Sequence, residues 1–200
     1  MSRPASPPHA PGTISRNPGP WDLNMITTHG PITAAEQLFV AEHMVTGRAG
    51  RTAVEVGCGT GRLAHWLHHA HGYHVTGLDL SPHNLGLPRL RGQGPGLSYA
   101  AHDTKTGPPP GLPIDGVDLE IARMTTRYLR DPLRLLRQVR DRWLRPGGCL
   151  YLQVLAKPFP DELQGWVAPE NLPACVDGWA SRQRMDEGPR AHLVLRTSPR

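Results

Sequence analysis

The sequence lacks long apolar runs and has few cysteines. No stretch of about 18 consecutive apolar residues occurs, so no transmembrane helix is predicted. The first twenty residues also lack the apolar segment of a signal peptide, and nothing in them indicates secretion. The three cysteines, Cys58, Cys149 and Cys175, have no metal-ligand spacing, and their odd number argues against a disulfide framework. We therefore expect a cytoplasmic protein with neither a metal site nor disulfide bonds.

Residues 1–20 are rich in proline, glycine and serine. Such a composition cannot bury enough apolar surface to offset the entropy lost on ordering, and it predicts a disordered tail. The remaining residues, 21–200, have about the length of one domain and are too few for two catalytic domains. We therefore predict a single domain.

Strand and helix signals alternate through the middle of the chain. Short β-prone runs are predicted at 52–57, 73–80, 97–101, 116–122 and 149–155, with two closing strands at 179–185 and 191–197. Helical patterns are predicted at 33–46, 62–71 and 169–176, and from 131 up to Pro146. This alternation is typical of parallel strands with helical crossovers. The expected fold is α/β, with a doubly wound, Rossmann-like sheet.

Side chains that can cap helices mark two helix starts. Thr33 is a suitable N-cap, and Glu36 follows it at the spacing of a capping box. Ser81 is expected to cap a short helix with Pro82 in its favoured first position. Because Gly86 and Pro88 follow, that helix should be short or irregular.

The most informative motif runs from Val54 to Gly61 and reads VEVGCGTG, a strand entering a glycine turn and then a helix. Glycines at Gly57, Gly59 and Gly61 let a ligand approach the backbone closely and permit positive φ. The free amides at the start of the next helix favour negatively charged groups of a ligand. Taken alone, such a cluster is weak evidence, since some matches are ordinary turns.

An acidic residue at the end of the next strand strengthens this interpretation. Asp79 is placed to accept the hydroxyl groups of a ribose, as an acid does in the dinucleotide fold, although an acid there could also be a cap or turn residue. A nicotinamide site would need the pattern G-x-G-x-x-G, but Arg62 stands where its third glycine belongs. An arginine would obstruct the close packing of helix on strand that this glycine allows, so dinucleotide binding is disfavoured.

Residues 51–157 resemble the class I S-adenosylmethionine-dependent methyltransferases, particularly the small-molecule subgroup. The resemblance rests on VEVGCGTGRLA, VTGLDLSP, the acidic position Asp103, GVDLEIA and LRPGGCLYLQVL, which occur in the order and spacing usual for that family. It implies a seven-stranded sheet whose last strand is antiparallel, with 51–157 as its core. It also implies S-adenosylmethionine as cofactor.

The resemblance further implies roles for individual residues in binding the cofactor. Glu55 would orient the methionine amino group above the glycine turn, Asp79 would hold the ribose, and Leu80 would pack on the adenine. Asp103 would accept a hydrogen bond from the adenine amino group, with Thr104 beside it. Ala122 and Arg123 would line the pocket near the sulfonium. These expectations give the cofactor-binding set Glu55, Gly57, Gly59, Gly61, Asp79, Leu80, Asp103, Thr104 and Ala122.

The sequence does not identify a general base for acceptors that must lose a proton. His29 lies in the segment that covers the pocket in related enzymes, and Tyr128 follows the fourth strand; both are candidates. His65 and His69 have the i, i+4 spacing of a zinc-binding pair. However, Leu63, Ala64 and Leu67 should face the sheet and leave the histidines towards solvent, so we expect no metal.

The identity of the acceptor is also left open by the sequence. The chain lacks the Asn-Pro-Pro-Tyr sequence that enzymes methylating exocyclic amines of nucleic acids carry after the fourth strand. Its short, proline-rich piece at 156–177 leaves little room for a large substrate lid. We expect a small-molecule acceptor, and neither nucleic acid nor a membrane as partner.

Two alternatives remain. Residues 121–145 contain eight arginines against two aspartates, a net charge of +6, and such a face could bind RNA or a protein substrate. The other alternative is a catalytically silent accessory protein that keeps the fold and the cofactor. It is left open because the helix expected after Ser81 is irregular and because no general base is evident.

Overall fold

The computed structural model describes residues 31–44, 50–82, 84–129, 131–155 and 172–199. The predicted tail at 1–20 and the candidate base His29 lie outside these ranges. Within them, no helix is long and apolar enough to cross a membrane.

Strands and helices alternate along the described chain as the sequence predicts. The helices are α1 Ala34–Met44, α2 Arg62–His71, α3 Gly86–Arg91, α4 Pro132–Gln138 and α5 Leu172–Val176. The strands are β1 Thr52–Val56, β2 His74–Asp79, β3 Leu97–Ala101, β4 Val117–Arg123, β5 Leu144–Leu155, β6 Ser181–Glu187 and β7 Arg190–Arg196. Short 3-10 turns at Thr104–Thr106 and Thr126–Tyr128 follow β3 and β4.

The strands form one seven-stranded sheet in the order β3-β2-β1-β4-β5-β7-β6. β1 pairs in parallel with β2 and β4, whereas β7 is antiparallel to both of its neighbours. The predicted doubly wound sheet with an antiparallel last strand is therefore confirmed. The chain winds outward from β1 to β3 and then returns to β4, so the strand order reverses between β1 and β4. In open α/β sheets, ligands bind at the carboxyl ends of the strands beside such a reversal.

Two apolar layers cover the sheet, one on each face. On one face, α1 and α2 contribute Phe39, Val40, Leu63 and Leu67, which pack with Ile121 and Tyr151 of the strands. On the other face, α4 contributes Leu135 and Leu136, and Trp143 just beyond it packs with Val54 and Leu152. Because both faces are covered, the strands can be apolar on both sides, as in buried parallel sheets.

The two capping predictions have different outcomes. Thr33 caps α1 as predicted, since its Oγ1 accepts the Glu36 amide at 3.0 Å. Asp131, for which no cap was predicted, also caps a helix: it accepts the Arg134 amide of α4 at 2.9 Å. The predicted start of α3 at Ser81 is wrong, because the helix begins at Gly86. The Ser81 hydroxyl accepts the Asn84 amide at 3.4 Å, which closes a local turn instead.

Candidate functional site

The glycine turn follows β1 at the point where the strand order reverses. Gly57 and Gly61 have φ of 69° and 65°, which a side chain would strain. A Cβ atom on Gly57 would also lie 2.4 Å from Thr125 Oγ1, so the turn tolerates only glycine there. The amide of Cys58 donates to Leu78 O at 2.8 Å and ties the turn to β2. Gly61 then forms the N-cap of α2.

Asp79 ends β2 beside this turn and is 5% exposed. Its Oδ2 accepts the Gly59 amide at 2.9 Å. Its Oδ1 accepts the Ser81 amide at 2.9 Å and Asn84 Nδ2 at 3.1 Å. A carboxylate offers about four acceptor positions, so the three bonds leave capacity for a further donor.

Glu55 lies on β1 beneath the turn and is almost fully buried. Its Oε2 accepts the amide of Ala64 at 3.0 Å and thereby satisfies one of the free donors at the start of α2. Burial raises the pKa of Glu55 to about 8, which the nearby Arg123 and the Ala64 amide counteract only in part. Glu55 is therefore a protonated, hydrogen-bonded carboxyl at neutral pH.

The remaining predicted cofactor residues lie in different environments. Leu80 follows Asp79 and is 58% exposed, so the core does not use its side chain. Asp103 lies just after β3 and caps the 3-10 turn at Thr104–Thr106, where its Oδ1 accepts the Lys105 amide at 3.0 Å. Thr104 lines a cavity of about 360 Å³ that extends towards α4. Ala122 is buried in the core beneath α4.

A family model described as "Methyltransferase domain" matches residues 54–152, which span the glycine turn, Asp79, Asp103 and β4. The chain belongs to the class I S-adenosylmethionine-dependent methyltransferases. Its cofactor is S-adenosylmethionine. No curated protein sequence matches the chain.

Solved structures share the fold of this methyltransferase at low sequence identity. A methyltransferase from Mesorhizobium loti is 22% identical with a TM-score of 0.65, covering 82% of this chain and 98% of that chain. Phosphoethanolamine N-methyltransferase 2 from Haemonchus contortus, solved with S-adenosyl-L-methionine, is 14% identical with a TM-score of 0.69, covering 86% and 54%. The [4+2]-cyclase SpnF is 18% identical with a TM-score of 0.64, covering 84% and 82%.

The described residues of this methyltransferase fit an adenosine group. Leu80, whose apolar side chain is exposed, directly follows Asp79 in the chain, and the buried carboxylate of Asp79 has acceptor capacity left. Ribose hydroxyl groups require acceptors, and a purine ring requires an apolar surface. When bound, S-adenosylmethionine supplies a methyl group on an electrophilic sulfonium. The protein supplies orientation and exclusion of water.

A buried ion pair at the end of β4 was not predicted. Arg123 Nε donates to Glu36 Oε1 at 2.8 Å, and its Nη2 donates to Glu36 Oε2 at 3.1 Å. Tyr151 donates to Glu36 Oε1 at 2.7 Å, and its hydroxyl lies 2.8 Å from His192 Nδ1. The expected capping box is therefore only half formed, because the Glu36 carboxylate binds Arg123. No local sequence signal joins residues so far apart.

The predicted arginine-rich face is reduced by internal pairing. Arg123 is buried against Glu36 and Arg145 lies 3.1 Å from Asp118, and both of these acids lie outside the segment. Arg140 lies 2.7 Å from Asp141, whose charge the net value of +6 already includes. Arg134, Arg137 and Arg142 remain exposed on the segment that contains α4. The segment therefore presents less positive charge to a polyanion than its composition predicts.

The other catalytic and metal candidates of the sequence are less informative. Tyr128 ends the turn after β4, where its amide donates to Thr125 O at 3.0 Å. The rings of His65 and His69 lie side by side on α2, with centroids 4.2 Å apart. Among the described residues, no group of three or more His, Cys, Asp or Glu side chains is placed to hold a metal ion.

Proposed function

We propose that this methyltransferase transfers the methyl group of S-adenosylmethionine, by in-line displacement, to a small-molecule acceptor. In this proposal the cofactor lies along the carboxyl ends of β1 and β2. Glu55 and the glycine turn bind the methionine part, Asp79 binds the ribose, and Leu80, Asp103 and Thr104 surround the adenine.

The environment of Asp79 carries this proposal. A buried carboxylate that accepts two backbone amides is held in one orientation before any ligand arrives. A preorganised acceptor loses little entropy on binding, so its hydrogen bonds to ribose contribute more to affinity. Leu80, the next residue, supports the same assignment. Its side chain is mostly exposed, so it contributes little to core packing and is available to contact a ligand.

A small acceptor is favoured over a nucleic acid or a protein. The pairing of Arg123 and Arg145 with acids outside the segment weakens the case for an extended polyanion-binding surface. His29 and Tyr128 remain the proposed candidates for a general base. A base is needed only where the acceptor is a hydroxyl or a similar acid.

The test is calorimetric titration of S-adenosylmethionine into the wild type and an Asp79→Asn variant. Asparagine keeps the shape but removes the charge, so we expect binding weakened by about 30-fold, as for a lost hydrogen bond to a charged group. The matched control is Asp118→Asn at the opposite edge of the sheet. Asp118 also accepts a backbone amide, that of Thr52 at 2.8 Å. We expect this control to bind as the wild type does.

Binding alone does not establish transfer. The wild type is therefore incubated with the cofactor and a panel of small hydroxyl, amine and thiol compounds, and S-adenosylhomocysteine is measured. A folded wild type that binds no S-adenosylmethionine would contradict the proposed cofactor site. Tight binding without product from any compound of the panel would instead favour the silent accessory protein.

A further inference from the structure

The turn after β4 has an unusual backbone. Met124 has a φ of 55°, the left-handed region that residues other than glycine seldom adopt. Its amide donates to Gln153 O at 2.9 Å, and its side chain is buried. Such backbone strain persists only where surrounding contacts hold it, and it concentrates at functional sites. The contacts of the next residue, Thr125, show what the turn holds.

Thr125 connects this turn to the glycine turn. Its Oγ1 lies 2.8 Å from Val56 O and 3.2 Å from Arg123 O. A hydroxyl group has one proton to donate, and the shorter distance assigns it to Val56 O. Val56 is the last residue of β1 and directly precedes Gly57. The Thr125 side chain also fills the space where a Cβ on Gly57 would lie.

We propose that Thr125 is a positioning residue for the cofactor: it fixes the glycine turn from below through Val56 O and Gly57. The strained Met124 turns the chain so that the Thr125 hydroxyl reaches β1. Without this hydrogen bond, the buried Val56 carbonyl loses its hydroxyl donor, and the peptide that leads into Gly57 loses one of the contacts that hold its orientation. The Asp79–Gly59 hydrogen bond, on the other side of the same turn, would then be less well aligned.

This inference rests on the proposed cofactor site, and its test is independent of the acceptor. Thr125→Val removes the hydroxyl but keeps the shape, Thr125→Ser keeps the hydroxyl, and Thr125→Ala is the second variant in case valine is not accommodated. The matched control is Thr197→Val. The Thr197 hydroxyl also lies near two carbonyl oxygens, Arg145 O at 3.0 Å and Gly148 O at 3.2 Å, at the opposite edge of the sheet.

S-adenosylmethionine affinity is measured by calorimetry, and the amide resonances of Gly57 and Gly59 are measured by NMR. We expect Thr125→Val to weaken binding by about fivefold and to shift both resonances, as for one lost neutral hydrogen bond. Thr125→Ser should restore the affinity. Thr197→Val should lower the thermal unfolding midpoint about as much as Thr125→Val does, because each loses one hydroxyl hydrogen bond. It should leave the cofactor affinity and both resonances unchanged.

Several results would overturn the inference. Wild-type affinity in Thr125→Val, or an equal loss of affinity in Thr197→Val, would show that the Thr125 hydroxyl has no specific role. Unchanged Gly57 and Gly59 resonances in Thr125→Val would also show that the Thr125 hydroxyl has no specific role. This result would hold even if the wild type bound no cofactor. Absence of binding by the wild type would contradict the proposed function, and the resonances would still decide the role of Thr125.

Discussion

At the scale of single residues, the protonation state of Glu55 links cofactor binding to pH. Its pKa is about 8, so its carboxyl is largely neutral below that pH. The proposed ligand group is an ammonium, which favours the ionised carboxylate, so binding should release a proton. We expect the affinity for S-adenosylmethionine to rise as the pH approaches 8, by at most about tenfold per pH unit.

Calorimetry at a series of pH values tests this expectation in the wild type and in Glu55→Gln. Glutamine can still accept the Ala64 amide, but it cannot ionise, so the rise with pH should disappear. Above a pH of about 8 the ligand amino group loses its own charge, and the wild-type affinity should level off or fall. An identical pH profile in both proteins would show that Glu55 does not bind the ammonium.

At the scale of secondary-structure elements, the ion pair between Glu36 and Arg123 joins α1 to the end of β4. Both side chains are buried, with the guanidinium Nε 2.8 Å from Glu36 Oε1. Replacing Glu36 by glutamine leaves a buried positive charge without its counter-ion. We expect this change to lower the free energy of unfolding by about 3 kcal/mol or more, measured by urea denaturation.

The double variant Glu36→Met with Arg123→Met is the control for this prediction. It removes both charges and retains similar volume, and a buried ion pair replaced by apolar residues is often close to neutral in stability. We therefore expect the double variant to be more stable than Glu36→Gln. Equal destabilisation by the two changes would mean that the volume of these side chains matters more than their charges.

The elements themselves could largely be predicted from the sequence, but the contacts between them could not. Apolar periodicity and the glycine turn are local patterns, and they predicted β1, α2 and β2 to within a residue or two. The contacts of Glu36 with Arg123 and of Thr125 with Val56 span 87 and 69 residues. No local pattern encodes such contacts, because they depend on which strands become neighbours.

Errors at the ends of elements have two different origins. The start of α3 was predicted at Ser81 from its capping chemistry, yet the Asp79 carboxylate binds the Ser81 amide and Asn84 Nδ2. These bonds stabilise a turn where a first helical turn was expected. Similarly, β5 begins at Leu144 rather than Cys149, since Leu144 pairs with Val117 of β4. At Ser81 the competing contacts are local, because the Asp79 carboxylate lies only two to five residues away, whereas at Leu144 the competing contact is a long-range strand pairing.

At the scale of the whole molecule, buried acids make stability depend on pH. Glu120 lies in the middle of β4 with no exposed surface, and neither carboxyl oxygen has a hydrogen-bond partner in the described structure. Burial raises the pKa of Glu120 well above its usual value, and the nearby Glu55 raises it further. The folded protein therefore keeps a proton that the unfolded chain releases above a pH of about 4.3.

The sign of the pH effect follows from that difference in proton binding. The folded state binds more protons, so stability is greatest below the pKa of the unfolded chain and falls as the pH rises towards the folded pKa. The loss is about 1.4 kcal/mol per pH unit for each such group.

We expect Glu120→Leu to be more stable than the wild type, by a margin that grows with pH, in urea denaturation at several pH values. Glu120→Gln cannot ionise but keeps a buried polar group, so its stability should follow the same pH dependence as the leucine variant at a lower level. A constant difference between Glu120→Leu and the wild type at all pH values would mean that Glu120 does not hold its proton in the folded protein.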